Sequence, residues 1–335
     1  MPPPTQPLTS ITLRGYRRRQ VAEQLLKFHT ANDPLAPQSS PNARVIRIVC
    51  VSDTHNTRPK LPPGDILIHS GDLTENGSFD EVQAGLTWLS SQPFRYKVFI
   101  AGNHDVLLDE AFLAKYPERR YGQAQTKEDL DWGSVIYLQD SSVTLELPLD
   151  EGNQELHIGG DRTLGNKIEP RSLTIFGSPW TPQYGISAFQ YHPSDHSHWS
   201  TRLASLDPTP NIIITHGPPR FHLDRRDFHR AGCAYLGEEI ARIRPRLVVF
   251  GHIHASYGRE DVVLDGAQRA YEEVMTGWAG WGTVTWLAAL VVWAKLKWLL
   301  RGMVRGKERV TTFANASVVG GPNNELRNKP IVIEL

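Results

Sequence analysis

Five short apolar runs in this chain each end on a tight cluster of glycine, aspartate, asparagine or histidine. Run 45–51 leads into Ser52-Asp53-Thr54-His55, and run 65–70 into Gly71-Asp72. Run 97–101 leads into Gly102-Asn103-His104-Asp105, 211–215 into His216-Gly217-Pro218, and Leu247–Phe250 into Gly251-His252-Ile253-His254. These runs are four to seven residues long and rich in Val, Ile and Phe. That length and composition predict buried strands. Similar runs occur at 134–138, 143–147 and 173–176. Helix-like stretches at Phe79–Ser90, 106–115, 198–206 and 235–243 lie between some of them. Such alternation predicts an α/β domain, with mixed sheets where strands crowd together around 139–172. In open α/β sheets, ligands gather beyond the carboxyl ends of the strands. The five clusters therefore mark one expected site, although they are spread over 202 positions, from Asp53 to His254.

The chemistry of that site follows from its donors. Asp53, His55, Asp72, Asn103, His216, His252 and His254 offer oxygen or imidazole nitrogen, and none is a thiolate. Mixed oxygen and nitrogen ligation suits Mn²⁺, Fe²⁺ or Zn²⁺ better than an all-oxygen Mg²⁺ or Ca²⁺ site. Seven donors exceed one tetrahedral ion and suit two ions that share a carboxylate. Two ions about 3.5–4 Å apart can hold a phosphate and lower the pKa of a bound water from 15.7 to about 7. Each fragment alone has a plainer reading, as a surface loop, a turn or a satisfied core histidine. Their joint occurrence, in order and each at a strand end, decides for the site.

Composition removes other classes. The two cysteines, Cys50 in an apolar run and Cys233 after a glycine, suggest neither a nucleophile nor a zinc knuckle. That usage fits a reducing, cytoplasmic setting. A formal net charge of zero gives no argument for a nucleic-acid partner. There is no internal repeat and no oligomerisation signature. The start Met1-Pro2-Pro3-Pro4 is not followed by the apolar stretch of a secretory signal. Residues 1–15 are expected to be disordered, 16–30 a short helix, and 31–44 a Pro/Ser/Asn linker.

In these motifs the chain resembles the calcineurin-like metallophosphoesterase superfamily, whose pattern is Asp-x-His, Gly-Asp, Gly-Asn-His-Asp/Glu, His and Gly-His-x-His. The resemblance covers about residues 45–265. Stretch 216–258 (HGPPRFHLDRRDFHRAGCAYLGEEIARIRPRLVVFGHIHASYG) resembles the small phosphodiesterase-like branch. FANASVVG (313–320) and PIVIEL (330–335) resemble its closing strands. The resemblance implies a four-layer α/β/β/α sandwich of two mixed sheets. It implies that Asp53, His55 and His254 hold one ion and that Asn103, His216 and His252 hold the other, with Asp72 as the bridge. It also implies that His104 binds no metal and protonates the leaving oxygen. The expected reaction is hydrolysis of a small phosphoester, above all a phosphodiester of cyclic-nucleotide type, by a metal-bridging hydroxide. A phosphomonoesterase and a membrane-tethered binding protein are the alternatives. Asp105 orients His104 or is a plain turn residue. His69 is a core or supporting residue. His192, His196, His198, His222 and His229 are expected at the surface, with His222 near enough to His216 to reach substrate.

One segment stands apart. Residues 274–294 carry no charge and include Trp278, Trp281, Trp286 and Trp293; Lys295, Lys297, Arg301, Arg305 and Lys307 follow. Both flanks read as parts of one domain, which argues against a single bilayer crossing. The expected organisation is an N-terminal extension (1–44), a catalytic domain (45–268), a Trp-rich and basic insertion (269–309), and closing strands (310–335). The insertion is expected to lie on a membrane or a partner through 274–307.

Overall fold

The computed structural model describes residues 13–30, 45–147, 171–204, 206–226, 229–277, 279–300 and 309–335. The expectations for residues 1–12, the linker 31–44, residues 148–170 of the crowded stretch 139–172, Trp278 and the basic stretch 301–308 lie outside the described residues. The chain divides into two compact units, one of residues 38–262 and 311–335, the other of 1–37 and 263–310.

The larger unit is built on two sheets. The first contains β1 (Arg47–Val51), β2 (Ile66–Ser70), β3 (Tyr96–Ile100) and β4 (Val135–Tyr137). The second contains β5 (Ser141–Leu147), β6 (Arg171–Ser178), β7 (Ile212–Thr215), β8 (Leu247–Phe250), β9 (Gly258–Val263) and β10 (Val310–Asn315). The last strand, β11 (Ile331–Glu334), returns to the first sheet, giving the order β11-β1-β2-β3-β4. The second sheet runs β9-β10-β8-β7-β6-β5. Strands β1 to β4 are mutually parallel, and so are β6, β7, β8 and β10. β11 pairs antiparallel with β1, and β5 with β6, so both sheets are mixed.

Alternation along each strand supplies two buried faces, as period-2 geometry requires. Ile48, Cys50, Ile66, Ile68, Val98 and Ile100 of the first sheet meet Leu173, Ile175, Ile212, Ile214, Leu247 and Val249 of the second. Each such fully buried side chain contributes about 2 kcal/mol of apolar burial. The intervening Val49, Val51, Leu67 and Phe99 pack instead on Val82, Leu86 and Leu89 of α2 (Phe79–Ser90). α2 starts where it does because Ser78 and Glu81 form a reciprocal capping box. On the second sheet Ile213 and Val248 point the other way and are fully buried too, so that sheet is covered on both faces. The result is an α/β fold of two mixed sheets flanked by helices.

The stretch 106–115 is not one helix. A 3₁₀ turn at Val106–Leu108 stops at Asp109, and α3 begins at Glu110 and ends at Lys115. The Asp109 carboxylate accepts from Phe112 N (3.0 Å) and from Phe189 N (2.7 Å), so a distant loop fixes the break. Short helix α4 (His198–Leu203) and α5 (Ala234–Ile243) follow. Cys233 caps α5, its Sγ accepting from Leu236 N at 3.4 Å. Both cysteines are free and buried.

The smaller unit packs α1 (Leu13–Thr30) with α6 (Gly266–Thr276) and α7 (Trp281–Leu300). Ala22, Ala267, Ala270, Val274, Val284, Leu287 and Val291 form its core. Asp265 caps α6 through the Ala267 and Gln268 amides, both at 2.9 Å, and its other oxygen meets His29 Nε2 at 2.9 Å. Among the described residues, no helix is long and apolar enough to cross a membrane.

Candidate metal centre

Parallel strands bring their carboxyl ends to one side, and six of those ends build the centre. β1 delivers Asp53 and His55, β2 delivers Asp72, and β3 delivers Asn103 and His104. β7 delivers His216, and β8 delivers His252 and His254. β10 delivers Ser317, and a bridge between Ser52 and Ser317 ties the ends of the two sheets together. Asp53, His55, Asp72 and His252 all have left-handed backbones, with φ of 52°, 43°, 52° and 67°. For residues with a Cβ this costs of order 1–3 kcal/mol each and persists where surrounding contacts enforce it, as at functional sites. Glycine is needed beside them for space. A Cβ on Gly102 would strike the Asp72 carboxylate, and one on Gly251 would strike that of Asp53.

The donors converge in two principal groups, Asp53 with His55 and His254, and Asp72 with His216 and His252, and His55 also falls in a third with Glu75 and His104. Within each group the ligand atoms lie within 4.8 Å of one another. His254 Nε2 stands 3.2 Å from Asp53 Oδ1. His216 Nε2 stands 3.2 Å from Asp72 Oδ2 and 3.0 Å from Asn103 Oδ1. Asp72 Oδ2 also faces His55 Nε2, at 3.8 Å, so this one oxygen adjoins both groups. Asp72 Oδ1 accepts from the His104 amide at 2.7 Å. Asn103 Nδ2 donates to Ser187 Oγ at 3.3 Å, which leaves Oδ1 for the centre.

Hydrogen bonds to carbonyls settle the tautomers. His216 Nδ1 lies 3.0 Å from Ser70 O, and a carbonyl only accepts, so Nδ1 carries a proton. In the neutral ring the Nε2 lone pair then points at two oxygens that also present lone pairs. His55 is more telling. Its Nε2 is buried without a hydrogen-bond partner, and its Nδ1 has only the Glu75 carboxylate, at 3.1 Å. Leaving such an atom unpaired costs about 1–3 kcal/mol. Unpaired buried nitrogen beside converging oxygen lone pairs is what a cation site requires, so the residues fit divalent ions.

Electrostatics agree. Burial alone would raise the Asp53 carboxyl, but the His254 hydrogen bond and the nearby imidazoles hold it well below the carboxylate range. Burial opposes ionisation of Asp72 too, and His216 overcomes it, so Asp72 stays ionised. Burial lowers the pKa of His252 to about 3, with His216 adding to the effect. Burial likewise holds His55 below the ordinary histidine value. A depressed value keeps the imidazole neutral, the form that ligates a metal. Burial disfavours a charged His216, yet Asp72 and Asp53 raise its pKa to about 9, which measures how much negative charge the pocket holds for a cation.

His104 belongs to neither principal group and lies with His55 and Glu75 in the third. Its ring lies edge-on to His55, with centroids 4.7 Å apart. Its Nδ1 donates to Glu75 O at 2.6 Å, which fixes the ring and directs Nε2 away from that carbonyl. Burial lowers its pKa, but Asp72 and the Glu75 carbonyl outweigh burial and raise it above the ordinary value. Asp105 is not a plain turn residue. Its carboxylate accepts from Leu73 N, Thr74 N, Thr74 Oγ1 and Gly102 N, at 2.8–3.2 Å, and so ties the Asp72 loop to the Asn103 loop. Burial, then Asp72, pushes it up to about 6.

Three supporting residues escaped the sequence reading. Glu75 Oε2 lies 3.1 Å from His55 Nδ1 and accepts from Asn324 Nδ2 at 2.9 Å. Ser317 Oγ lies 2.7 Å from Asp53 Oδ2. Asn315 Nδ2 donates to Ile253 O (2.9 Å) and Leu223 O (3.2 Å), which holds the loop between His252 and His254. The only signal was the resemblance of 313–320 to closing strands, which carried no roles. His69 is a supporting core residue, its Nε2 2.9 Å from Thr54 Oγ1. Two histidines expected at the surface are buried. His198 stacks on Tyr191 at 3.7 Å, and His222 stacks on Phe313 at 3.8 Å and pairs with Glu260 at 2.6 Å.

Residues 46–256 match the family described as calcineurin-like phosphoesterase. The chain belongs to the calcineurin-like phosphoesterase family. It is a metal-dependent phosphoesterase, and the donor groups above are its candidate metal ligands. Metallophosphoesterase domain-containing protein 1 of Homo sapiens is 33% identical over 280 residues, which is 78% of this chain and 74% of that protein. A protein of Emericella nidulans named probable rhamnogalacturonate lyase C is 36% identical over 321 residues, which is 95% of this chain. The chain spans only 27% of that relative's length. A solved structure from Thermus thermophilus is 13% identical with a TM-score of 0.39, over 66% of this chain and 86% of that one, too distant to add to the family assignment.

Proposed function

We propose that this phosphoesterase hydrolyses small phosphodiesters, of cyclic-nucleotide or similar type, with two divalent ions of the Mn²⁺, Fe²⁺ or Zn²⁺ class. The observation that carries this reading is the position of Asp72 Oδ2, which faces His216 Nε2 at 3.2 Å and His55 Nε2 at 3.8 Å and so adjoins both donor groups. Asp53, His55 and His254 would hold one ion, and Asn103, His216 and His252 the other, with Asp72 shared. When bound, the ions supply Lewis acidity toward the phosphoryl oxygens and a nucleophile at neutral pH. The chain supplies the rest. Glu75 turns the His55 ring, Ser70 O fixes the tautomer of His216, and Glu75 O holds His104 as the acid for the leaving oxygen. Two observations favour a diester over a monoester. Stretch 216–258 resembles the small phosphodiesterase-like branch, and none of the residues placed in the centre is the Lys or Arg that would balance a monoester's additional negative charge.

The test is hydrolysis of bis(4-nitrophenyl) phosphate and 4-nitrophenyl phosphate across Mn²⁺, Fe²⁺, Zn²⁺ and Mg²⁺, with and without chelator. The diester should turn over faster, and the chelator should abolish both activities. Preference for the monoester would overturn the diester reading, and chelator-resistant turnover would overturn the metal assignment.

The orientation of Asp53 by Ser317 gives a second prediction. Ser317→Ala removes the hydroxyl's contacts with Asp53 Oδ2 (2.7 Å) and Asn315 Oδ1 (2.8 Å) and leaves the left-handed backbone of Asp53 in place. Removing such a support to a ligand typically costs about 10–100-fold in metal affinity. Competition with a chromophoric chelator should show a loss of that size with circular dichroism unchanged. Unchanged affinity would mean that the His254 ring and the His252 amide, at 3.2 and 3.0 Å from Oδ1, fix Asp53 without the hydroxyl.

A further inference from the structure

α7 is apolar on two faces. Its inner face, Val284, Leu287 and Val291, fills the core made with α1 and α6. Its outer face has no such cover. Trp286, Ala289, Trp293 and Leu296 repeat at intervals of three and four, so they line one side of the helix. Trp286 is 60% exposed, Val292 65%, Trp293 54% and Leu299 69%. A helix on the surface of a bundle normally turns polar residues outward, and contiguous exposed apolar surface marks an interaction face.

Charge on and around the helix says what covers it. From residue 274 to 307 the sequence holds five cations (Lys295, Lys297, Arg301, Arg305 and Lys307) and no carboxylate. Lys297 is exposed, with Nζ 5.0 Å from the centroid of the Trp293 ring. A protein interface depletes lysine from its centre, whereas a lipid surface accepts long cationic side chains beside tryptophan at the headgroup level. α7 is not long and apolar enough to cross a bilayer, which leaves an orientation in the plane of the surface. We propose that α7 lies on an anionic lipid surface, with Trp286, Val292, Trp293 and Leu296 at the boundary of headgroups and acyl chains and Lys297 toward the headgroups. The helical unit thereby concentrates the phosphoesterase at a membrane. This holds whatever the substrate of the metal centre.

The experiment uses the full chain and a Trp286→Ser/Trp293→Ser/Leu296→Ser variant. All three positions are exposed, so helix content by circular dichroism and hydrolysis of bis(4-nitrophenyl) phosphate should match the unaltered chain. Each protein is sedimented with phosphatidylcholine vesicles, with and without phosphatidylserine. The unaltered chain should co-sediment with the anionic vesicles and less with the zwitterionic ones, with binding weakened by salt. The triple variant should lose more than about tenfold in partition coefficient. Equal sedimentation of variant and unaltered chain, or an unaltered chain that stays in the supernatant, would overturn the proposal. So would a lipid-free dimer, seen by sedimentation velocity, that the variant dissolves, because a second copy would then cover the face.

Discussion

Asp72→Asn is expected to lower kcat/KM on a phosphodiester by about a thousandfold and to reduce metal stoichiometry from two ions toward one. The change is isosteric and keeps an acceptor for the His104 amide, which bonds Oδ1 at 2.7 Å, so the loop should hold its shape. What disappears is the charge on the oxygen that faces His216 Nε2 at 3.2 Å and His55 Nε2 at 3.8 Å. Losing one ion forfeits several kcal/mol of stabilisation of the charge that develops on the phosphoryl group, and about 4 kcal/mol is about a thousandfold in rate. A general loss of folding would lower activity too, so thermal melts with and without metal separate the causes. Bound metal stabilises a folded chain by mass action, so the rise in Tm on adding metal should shrink in the variant while the metal-free Tm changes little. Near-normal turnover with two ions bound would sink the shared-carboxylate assignment.

Why these seven positions were legible in the sequence, and their supports were not, follows from how each is placed. Asp53, Asp72, Asn103, His216 and His252 each sit within three residues of the end of an apolar run, and parallel pairing brings such ends to one side. Strand period and terminal glycine are both written locally. Glu75 is in a loop with no period, and part of its role is played by its backbone carbonyl, which any residue carries. Ser317 acts across 264 positions of sequence, and no local pattern ties a serine after FANA to Asp53. The burial of His222 depends on Phe313 and Glu260, and that of His198 on the ring of Tyr191. The same limit applied to the helices. α2 was readable because it carries an apolar stripe of its own, while the break at Asp109 depends on Phe189, which is 80 positions away. That α1 joins α6 and α7 in one unit rests on contacts such as His29 with Asp265, 236 positions apart, and neither helix announces the other.

His104→Ala is expected to separate substrates by their leaving groups. Protonation of the departing oxygen matters in proportion to its basicity, so general-acid catalysis is worth about 10²–10⁴ for a sugar or alkyl alkoxide and little for a nitrophenolate. The variant should therefore lose roughly that factor on a cyclic nucleotide or an alkyl aryl diester cleaved at the alkyl oxygen, and only a few-fold on bis(4-nitrophenyl) phosphate. The structure makes the substitution a clean one. The backbone amide of residue 104, which bonds Asp72 Oδ1, is retained, and Asp105 still ties the two loops through its four acceptor contacts. Only the imidazole beside His55 is lost, and it belongs to neither the group of Asp53 nor that of Asp72, but to the one it forms with His55 and Glu75. Metal stoichiometry should accordingly remain at two. Its pKa gives the test a second axis. Asp72 and the Glu75 carbonyl lift the His104 cation above the ordinary histidine value in the metal-free chain, and bound cations would press it back toward neutrality. An acid must be protonated to act, so activity of the unaltered enzyme on poor leaving groups should fall as pH rises through that pKa. The Ala variant should lack that falling limb. Equal losses on both substrate classes, with the limb intact, would assign His104 to holding the Asp72 loop rather than to proton transfer.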